Sequence, residues 1–194
     1  MIAIIDYNTG NIRSVENALH RLGAEYELSA DPDAIRRADR VILPGVGHCG
    51  EAIARLREQG LDRVIRDLRR PVLGICVGMQ AMCRHTEEGD ADGLGIFDAK
   101  VRRFDSAGGF KVPHMGWNNI SNLDSKLFRE IKGGEYVYFV HSYYAPLCPD
   151  TIATTDYGGM FSSALKYENF YGTQFHPEKS GDAGEKIISN FLTI

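Results

Sequence analysis

The chain has 194 residues, of which 43% are hydrophobic and 25% charged, with a formal net charge of −4. That length suits one domain spanning residues 1–194 with a sizeable core, and the composition is that of an ordinary globule. No long basic run marks a nucleic-acid or anionic-membrane partner and no apolar stretch approaches a membrane span, so neither is expected.

The N-terminal Met1-Ile2-Ala3-Ile4-Ile5-Asp6 lacks the basic region and the length of a signal peptide and reads as the first core strand of a cytoplasmic protein. The cysteines at 49, 76, 83 and 148 form no CxxC pair and no zinc-type spacing. Reduced thiols are expected, with no metal and no cofactor.

The first half alternates strand and helix. Ile2 to Asp6 is a continuous apolar run, as in a strand buried on both faces. After the polar loop Tyr7-Asn8-Thr9-Gly10-Asn11, a helix is predicted over Ile12 to Leu22, where Ile12, Val15, Leu19 and Leu22 share a face and Gly23 ends it. Tyr26 to Ser29 is a second strand, Asp31-Pro32-Asp33 opens a short helix, and Arg40 to Leu43 is a third strand that runs into Pro44-Gly45-Val46-Gly47. Helices over Gly50 to Glu58 and Leu61 to Arg69 precede the strand Pro71 to Ile75. Repeated βα units imply a mostly parallel sheet flanked by helices, with ligands at the carboxyl ends of its strands.

The second half changes character. After the polar loop Glu87 to Gly93 come short segments rich in β-formers: Ile96 to Phe104, Trp117 to Ile120, Glu135 to Val140, Ile152 to Thr155, Phe161 to Tyr167 and Tyr171 to Phe175. Turns such as Gly108-Gly109, Gly133-Gly134 and Gly158-Gly159 separate several of them, and antiparallel additions to the sheet are expected. A helix over Ala183 to Leu192 follows.

The stretch Gly74-Ile75-Cys76-Val77-Gly78-Met79-Gln80 carries the chemistry. A buried strand turns at Cys76 into a helix, and glycines two residues away on either side leave room for so sharp a turn. A thiol at a helix N-terminus is placed to ionise near neutral pH. Most cysteines after a core strand are inert, but an inert cysteine explains neither glycine.

A cysteine nucleophile needs a base. His20 and His85 read as surface or core-edge residues, the latter at the end of the helix after Cys76; His48 follows the glycine loop, and His114 and His141 are plausible pocket residues. His176, in Phe175-His176-Pro177-Glu178, emerges from the last strand, where elbow-type folds carry the histidine. Pro177 keeps His176 extended, so Glu178 projects to the same side and can orient the imidazole. Alone, this tripeptide reads rather as a loop with a solvated Glu; paired with the turn at Cys76 it does not. An oxyanion hole would use the N–H of Val77 and one from Val46 or Gly47, a segment that by itself is also only a tight turn. One peptide rotation in that loop would gate activity.

These motifs, GICVGMQ, PGVG and FHPE, resemble those of the triad (class I) glutamine amidotransferases over essentially the whole chain. Within that family, IDYNTGN at 5–11, PHMGWN at 113–118, YFVHSYY at 138–144, TDYGG at 155–159 and GTQFHPEKS at 172–180 look like the branch that supplies ammonia to imidazole glycerol phosphate synthases. The resemblance implies a flavodoxin-like α/β fold, glutamine hydrolysis by Cys76, His176 and Glu178, and substrate contacts from Gln80, Gly47, Ser142 and Tyr143. It further implies a heterodimer with a (β/α)8-barrel cyclase of histidine biosynthesis that receives the ammonia, with His114-Met115-Gly116-Trp117-Asn118 near the cyclase-facing side, although that segment also reads as a strand with a buried Trp. Cys49 departs from the pattern, which favours an aromatic there; a smaller side chain is expected to loosen the region behind the oxyanion loop and to add a thiol near the site.

A paralogous subunit serving another synthase, such as one for sugar amidation, would retain every motif and differ in its partner. A stand-alone cysteine hydrolase would turn over without one.

Overall fold

The computed structural model describes residues 1–8, 12–105 and 109–194. Thr9-Gly10-Asn11 of the first loop and Gly108 of one glycine turn lie outside them.

The first half follows the expected alternation closely. Strand β1 (Ile2–Ile5) is buried along its whole length and pairs in parallel with β2 (Tyr26–Ser29) on one side and β3 (Arg40–Leu43) on the other. Each fully buried Ile here contributes ~1.5–3 kcal/mol by leaving water. Helix α1 (Arg13–Arg21) buries Val15, Ala18 and Leu19, and Gly23, at φ +65°, takes the left-handed conformation that ends it. In α2 (Pro32–Arg37), Asp31 caps the N-terminus by accepting from the N–H groups of Asp33 and Ala34. Helix α3 (Cys49–Glu58) is capped by His48, whose Nδ1 accepts from Glu51 N, and α4 (Leu61–Asp67) leads to β4 (Val72–Ile75).

Helix α5 (Val77–Met82) differs from expectation. It ends after six residues, all buried, and Cys83–Thr86 forms a strand, β5. His85 is therefore on a strand and not at a helix end, with Nε2 3.3 Å from Asp90 and Nδ1 3.1 Å from Asp92. Because every residue of α5 is buried, there is no amphipathic stripe from which its length could be read. β6 (Ala91–Asp92), within the segment read as loop, pairs with β5 as a hairpin.

The remaining strands are β7 (Phe97–Arg103), β8 (His114–Asn119), β9 (Tyr136–His141), β10 (Tyr143–Tyr144), β11 (Thr151–Asp156), β12 (Met160–Tyr167) and β13 (Phe170–Thr173), followed by helix α6 (Gly181–Phe191). The main sheet has the order β11-β12-β13-β4-β3-β1-β2, and all its pairings are parallel except the two made by β12. Antiparallel additions thus extend one edge as expected. The other late strands, however, build a four-stranded sheet (β10-β7-β5-β6) and a two-stranded ribbon (β8-β9). Helices α1 and α6 contact each other while α2 contacts α4 and α3 contacts α4 and α5, the division that right-handed crossovers in opposite directions from β1 produce. Among the described residues no helix is long and apolar enough to cross a membrane.

Candidate active site

The loops after β3, β4 and β13 meet at one end of the sheet. Cys76 turns out of β4 with φ +53° and ψ −109°, a strained conformation for a residue with a side chain. Its N–H donates to the carbonyl of Thr173 on β13 at 2.7 Å, which pins the turn to the neighbouring strand. The flanking glycines are required by close approach. A Cβ on Gly78 would lie 2.0 Å from the Leu43 carbonyl oxygen, and one on Gly74 would lie 2.4 Å from Met82 Cε and 2.8 Å from the Gly78 carbonyl carbon.

His176, just after β13, donates its backbone N–H to the Tyr138 carbonyl. Its Nδ1 lies 2.7 Å from Glu178 Oε1, both side chains being 4% exposed or less. The contact is the one expected, but its route is different: Pro177–Lys179 forms a single 3-10 turn, and the turn swings Glu178 back under the imidazole. Burial alone would lower the His176 pKa; hydrogen bonds to Cys76 and Glu178 outweigh it and raise it to about 10. An imidazolium is thereby favoured beside the sulfur.

Cys76 and His176 line a cavity of about 320 Å³ together with Val46, Gly47, Val77, Gln80, Ser142 and Tyr143. Every residue assigned to the oxyanion hole or to the glutamine is therefore brought to the cavity, and Glu178 stands behind His176; of the two histidines read as pocket residues, His141 lines it and His114 does not, standing behind His141 at 3.0 Å. Gln80 lies one helical turn beyond Cys76, its N–H donating to the Cys76 carbonyl at 3.0 Å, and its Nε2 donates to the Tyr143 carbonyl at 2.9 Å.

His141 also lines the cavity. Its Nδ1 is 2.7 Å from the Tyr143 carbonyl, which can only accept, so Nδ1 carries the proton. Nε2 of His141 then accepts from His114 Nδ1 at 3.0 Å, and His114 Nε2 accepts from Asn118 Nδ2 at 3.3 Å. Burial pushes His114 down to about 4 and His141 down to about 3, so both are neutral at pH 7.

Two residues went unread in the sequence. Glu88, in the polar segment after β5, lines the cavity and accepts the Cys49 N–H at 2.7 Å, offering a carboxylate to an ammonium. Gln174, one residue past β13, is fully buried with its Nε2 3.6 Å from Cys76 Sγ. A lone acidic residue in a loop, or an amide at a strand end, gives no signal by itself.

Cys49 does not behave as a second reactive thiol: it is fully buried in the core, and burial, then the nearby Glu88, push it up to about 12. Burial also raises Cys83 and Cys148 above the ordinary thiol value.

The family model described as glutamine amidotransferase class-I matches residues 3–194. The chain belongs to that family. Among curated relatives of this amidotransferase, the imidazole glycerol phosphate synthase subunit HisH of Bacteroides fragilis (strain YCH46) is 57% identical over 100% of this chain and 99% of the relative. The protein of the same name from Bacteroides thetaiotaomicron is 54% identical with the same coverage, and that of Xanthomonas campestris pv. campestris (strain 8004) is 46% identical over 100% of this chain and 97% of the relative. Among solved structures, a putative GMP synthase subunit from Thermoplasma acidophilum superposes with a TM-score of 0.75 at 23% identity, covering 99% of this chain and 92% of that one. A structure described as glutamine amidotransferase gives 0.76 at 18% identity, covering 100% and 98%. At such identities these two establish the fold of the amidotransferase and nothing finer.

Proposed function

We propose that the chain is the glutaminase subunit of an imidazole glycerol phosphate synthase in histidine biosynthesis, with Cys76 as nucleophile, His176 as general acid/base and Glu178 as its orienting partner. The observation that carries the reading is the strained turn at Cys76, which opens into the same cavity as a buried His176 hydrogen-bonded to Glu178. Relatives bearing that subunit name, aligned end to end at 54–57% identity, favour this synthase over another that uses ammonia.

The sulfur of Cys76 attacks the side-chain amide carbon of glutamine. The N–H of Val77 and one from Val46 or Gly47 hold the oxyanion that forms, and His176 passes its proton to the departing ammonia. Water, deprotonated by His176, then attacks the γ-glutamyl thioester; the carbon–sulfur bond breaks, the electron pair returns to Cys76, and glutamate leaves. Gln80, Gly47, Ser142 and Tyr143 hold the substrate. Gln80 commits both Nε2 protons, to Tyr143 and Gln174, which leaves its Oε1 to accept from a ligand.

The partner is a (β/α)8-barrel cyclase in a heterodimer, docked on the β8-β9 ribbon. Met115, Trp117 and Tyr136 are 56–63% exposed, and cross-strand pairing puts them on one face with Tyr138 and Val140. Val140 and Pro113 line the cavity, so that face borders the site where ammonia is released. The four free thiols suit a reducing cytoplasm.

The test is glutamate release from glutamine by the purified chain, alone and with the cyclase and its nucleotide ligand, with Cys76→Ala as the blank. A large rise with partner and ligand, absent from the blank, is expected. Full activity without a partner would instead identify a stand-alone hydrolase.

A further inference from the structure

The fully buried Gln174 has no part in the scheme above, yet its side chain bridges two residues that do. Its Oε1 accepts from Gln80 Nε2 at 3.0 Å, and its Nε2 lies 3.6 Å from Cys76 Sγ. The orientation of this amide is fixed by chemistry. Gln80 Nε2 also donates to the Tyr143 carbonyl at 2.9 Å, and a carbonyl accepts only, so Gln80 presents an NH2 group to Gln174. Were the Gln174 amide reversed, two NH2 groups would face each other and the sulfur would meet an oxygen. The hydrogen bonds therefore run from Gln80 through Gln174 to Cys76.

We infer that Gln174 is a further catalytic residue, donating an N–H to the sulfur of Cys76 in both its nucleophile and leaving-group roles. A hydrogen bond to a thiolate is charge-assisted and stronger than one to a thiol or a thioester, so this donor favours the ionised sulfur and aims it into the cavity. His176 shares that sulfur but gives up its proton to the leaving ammonia; the Gln174 N–H is never transferred. In hydrolysis of the thioester, the electron pair of the breaking carbon–sulfur bond arrives on a sulfur already facing this donor, while His176 is engaged with water. Because Gln174 is keyed by Gln80, which lines the cavity, glutamine recognition and the sulfur's donor belong to one hydrogen-bonded unit.

The inference rests on Cys76 being the nucleophile, and the experiment separates the two. In the full-length chain, the rate of Cys76 alkylation by iodoacetamide is followed against pH by peptide mass spectrometry, for wild type, Gln174→Leu and Gln174→Glu. The other charged or titratable groups around Cys76 and the cavity, namely His176, Glu178, His141, Tyr143, Cys49 and Glu88, are unchanged in both variants. Loss of the donor moves the midpoint up by about one pH unit in Gln174→Leu, a tenfold loss of thiolate below the midpoint, and further in Gln174→Glu, whose anion repels it. The shift in Gln174→Leu tests the donor itself, since the carboxylate of Gln174→Glu would repel a thiolate whatever the role of the wild-type amide; if Leu does not fold, the amide signals of the wild type decide. In wild type, the side-chain amide NMR signals of Gln174 also shift when Cys76 is alkylated. Unmoved midpoints, or amide signals indifferent to alkylation, would overturn the assignment. If a diazoketone analogue of glutamine fails to label wild-type Cys76 selectively, it is the proposed nucleophile that falls; selective labelling with unmoved midpoints removes only Gln174.

Discussion

His176 Nδ1 and Glu178 Oε1 are 2.7 Å apart with both side chains withdrawn from solvent, so the carboxylate selects one tautomer of the ring and leaves Nε2 for the sulfur. Replacing Glu178 by Gln keeps the shape but offers either an N–H or a neutral oxygen. Glutaminase turnover in the complex should fall by on the order of 10²- to 10⁴-fold, with some activity remaining because the base is intact. Wild-type turnover would remove Glu178 from the triad.

The same imidazole, its pKa raised against its burial by Cys76 and then by Glu178, makes stability depend on pH. The folded pKa of His176, about 10, lies above the unfolded value of about 6.5, so the imidazolium's stabilising contribution is complete below about pH 6.5 and is lost as pH rises through about 10. The stability gap between wild type and Glu178→Gln, measured by urea unfolding at several pH values, should be widest near pH 6 and narrow toward pH 10. A gap constant with pH would contradict the ion pair.

The buried histidines behave oppositely. His114 and His141 fold as neutral rings with pKa values of about 4 and about 3, below the unfolded value of about 6.5, so their contribution is present above about pH 6.5 and is lost as pH falls through those folded values. Each adds a slope of up to about 1.4 kcal/mol per pH unit in that window. His141→Asn, which retains a donor toward the Tyr143 carbonyl, should flatten the acid limb of the stability curve; an unchanged limb would mean that the ring is not neutral in the fold.

Close approach at the elbow gives a backbone test. Gly78→Ala would drive a methyl group to 2.0 Å from the Leu43 carbonyl oxygen, so β3 and α5 must separate. A loss of about 1–3 kcal/mol in urea unfolding is expected, with glutaminase falling further because the elbow shifts relative to the Gly45-Val46-Gly47 loop.

Trp117, 56% exposed on the ribbon, should contribute to partner binding and little to folding. Trp117→Ala should weaken association with the cyclase by about 2–4 kcal/mol in titration calorimetry, with the melting temperature of the isolated chain unchanged. Undiminished binding would move the interface elsewhere.

The first half of the fold was legible because each βα unit announces itself locally: apolar runs for doubly buried strands, Asp31 for a cap, Gly23 for a stop. The second half was not, since its short strands carry β-formers but no mark of which sheet they join. β10 has only Tyr143 and Tyr144, and whether such a pair extends the main sheet or closes a small one depends on partners dozens of residues away. The site divides similarly. Cys76, His176 and Glu178 stand in motifs whose spacing is chemical, whereas Gln174 and Glu88 acquire meaning only from what folding sets beside them. The polar spacing of His176 and Glu178 was informative even though a 3-10 turn, and not an extended segment, brings them together.

β13 lies directly beside β4, Thr173 opposite Ile75, although about a hundred residues of chain separate them. Cys76 is thus synthesised long before its histidine, and the strand that delivers His176 must insert between β4 and β12 after the rest of the sheet has been made. A nascent chain on the ribosome, or any fragment ending before His176, carries the thiol without the base proposed to serve it. Ammonia release is in this way deferred until translation has passed the last strand of the sheet.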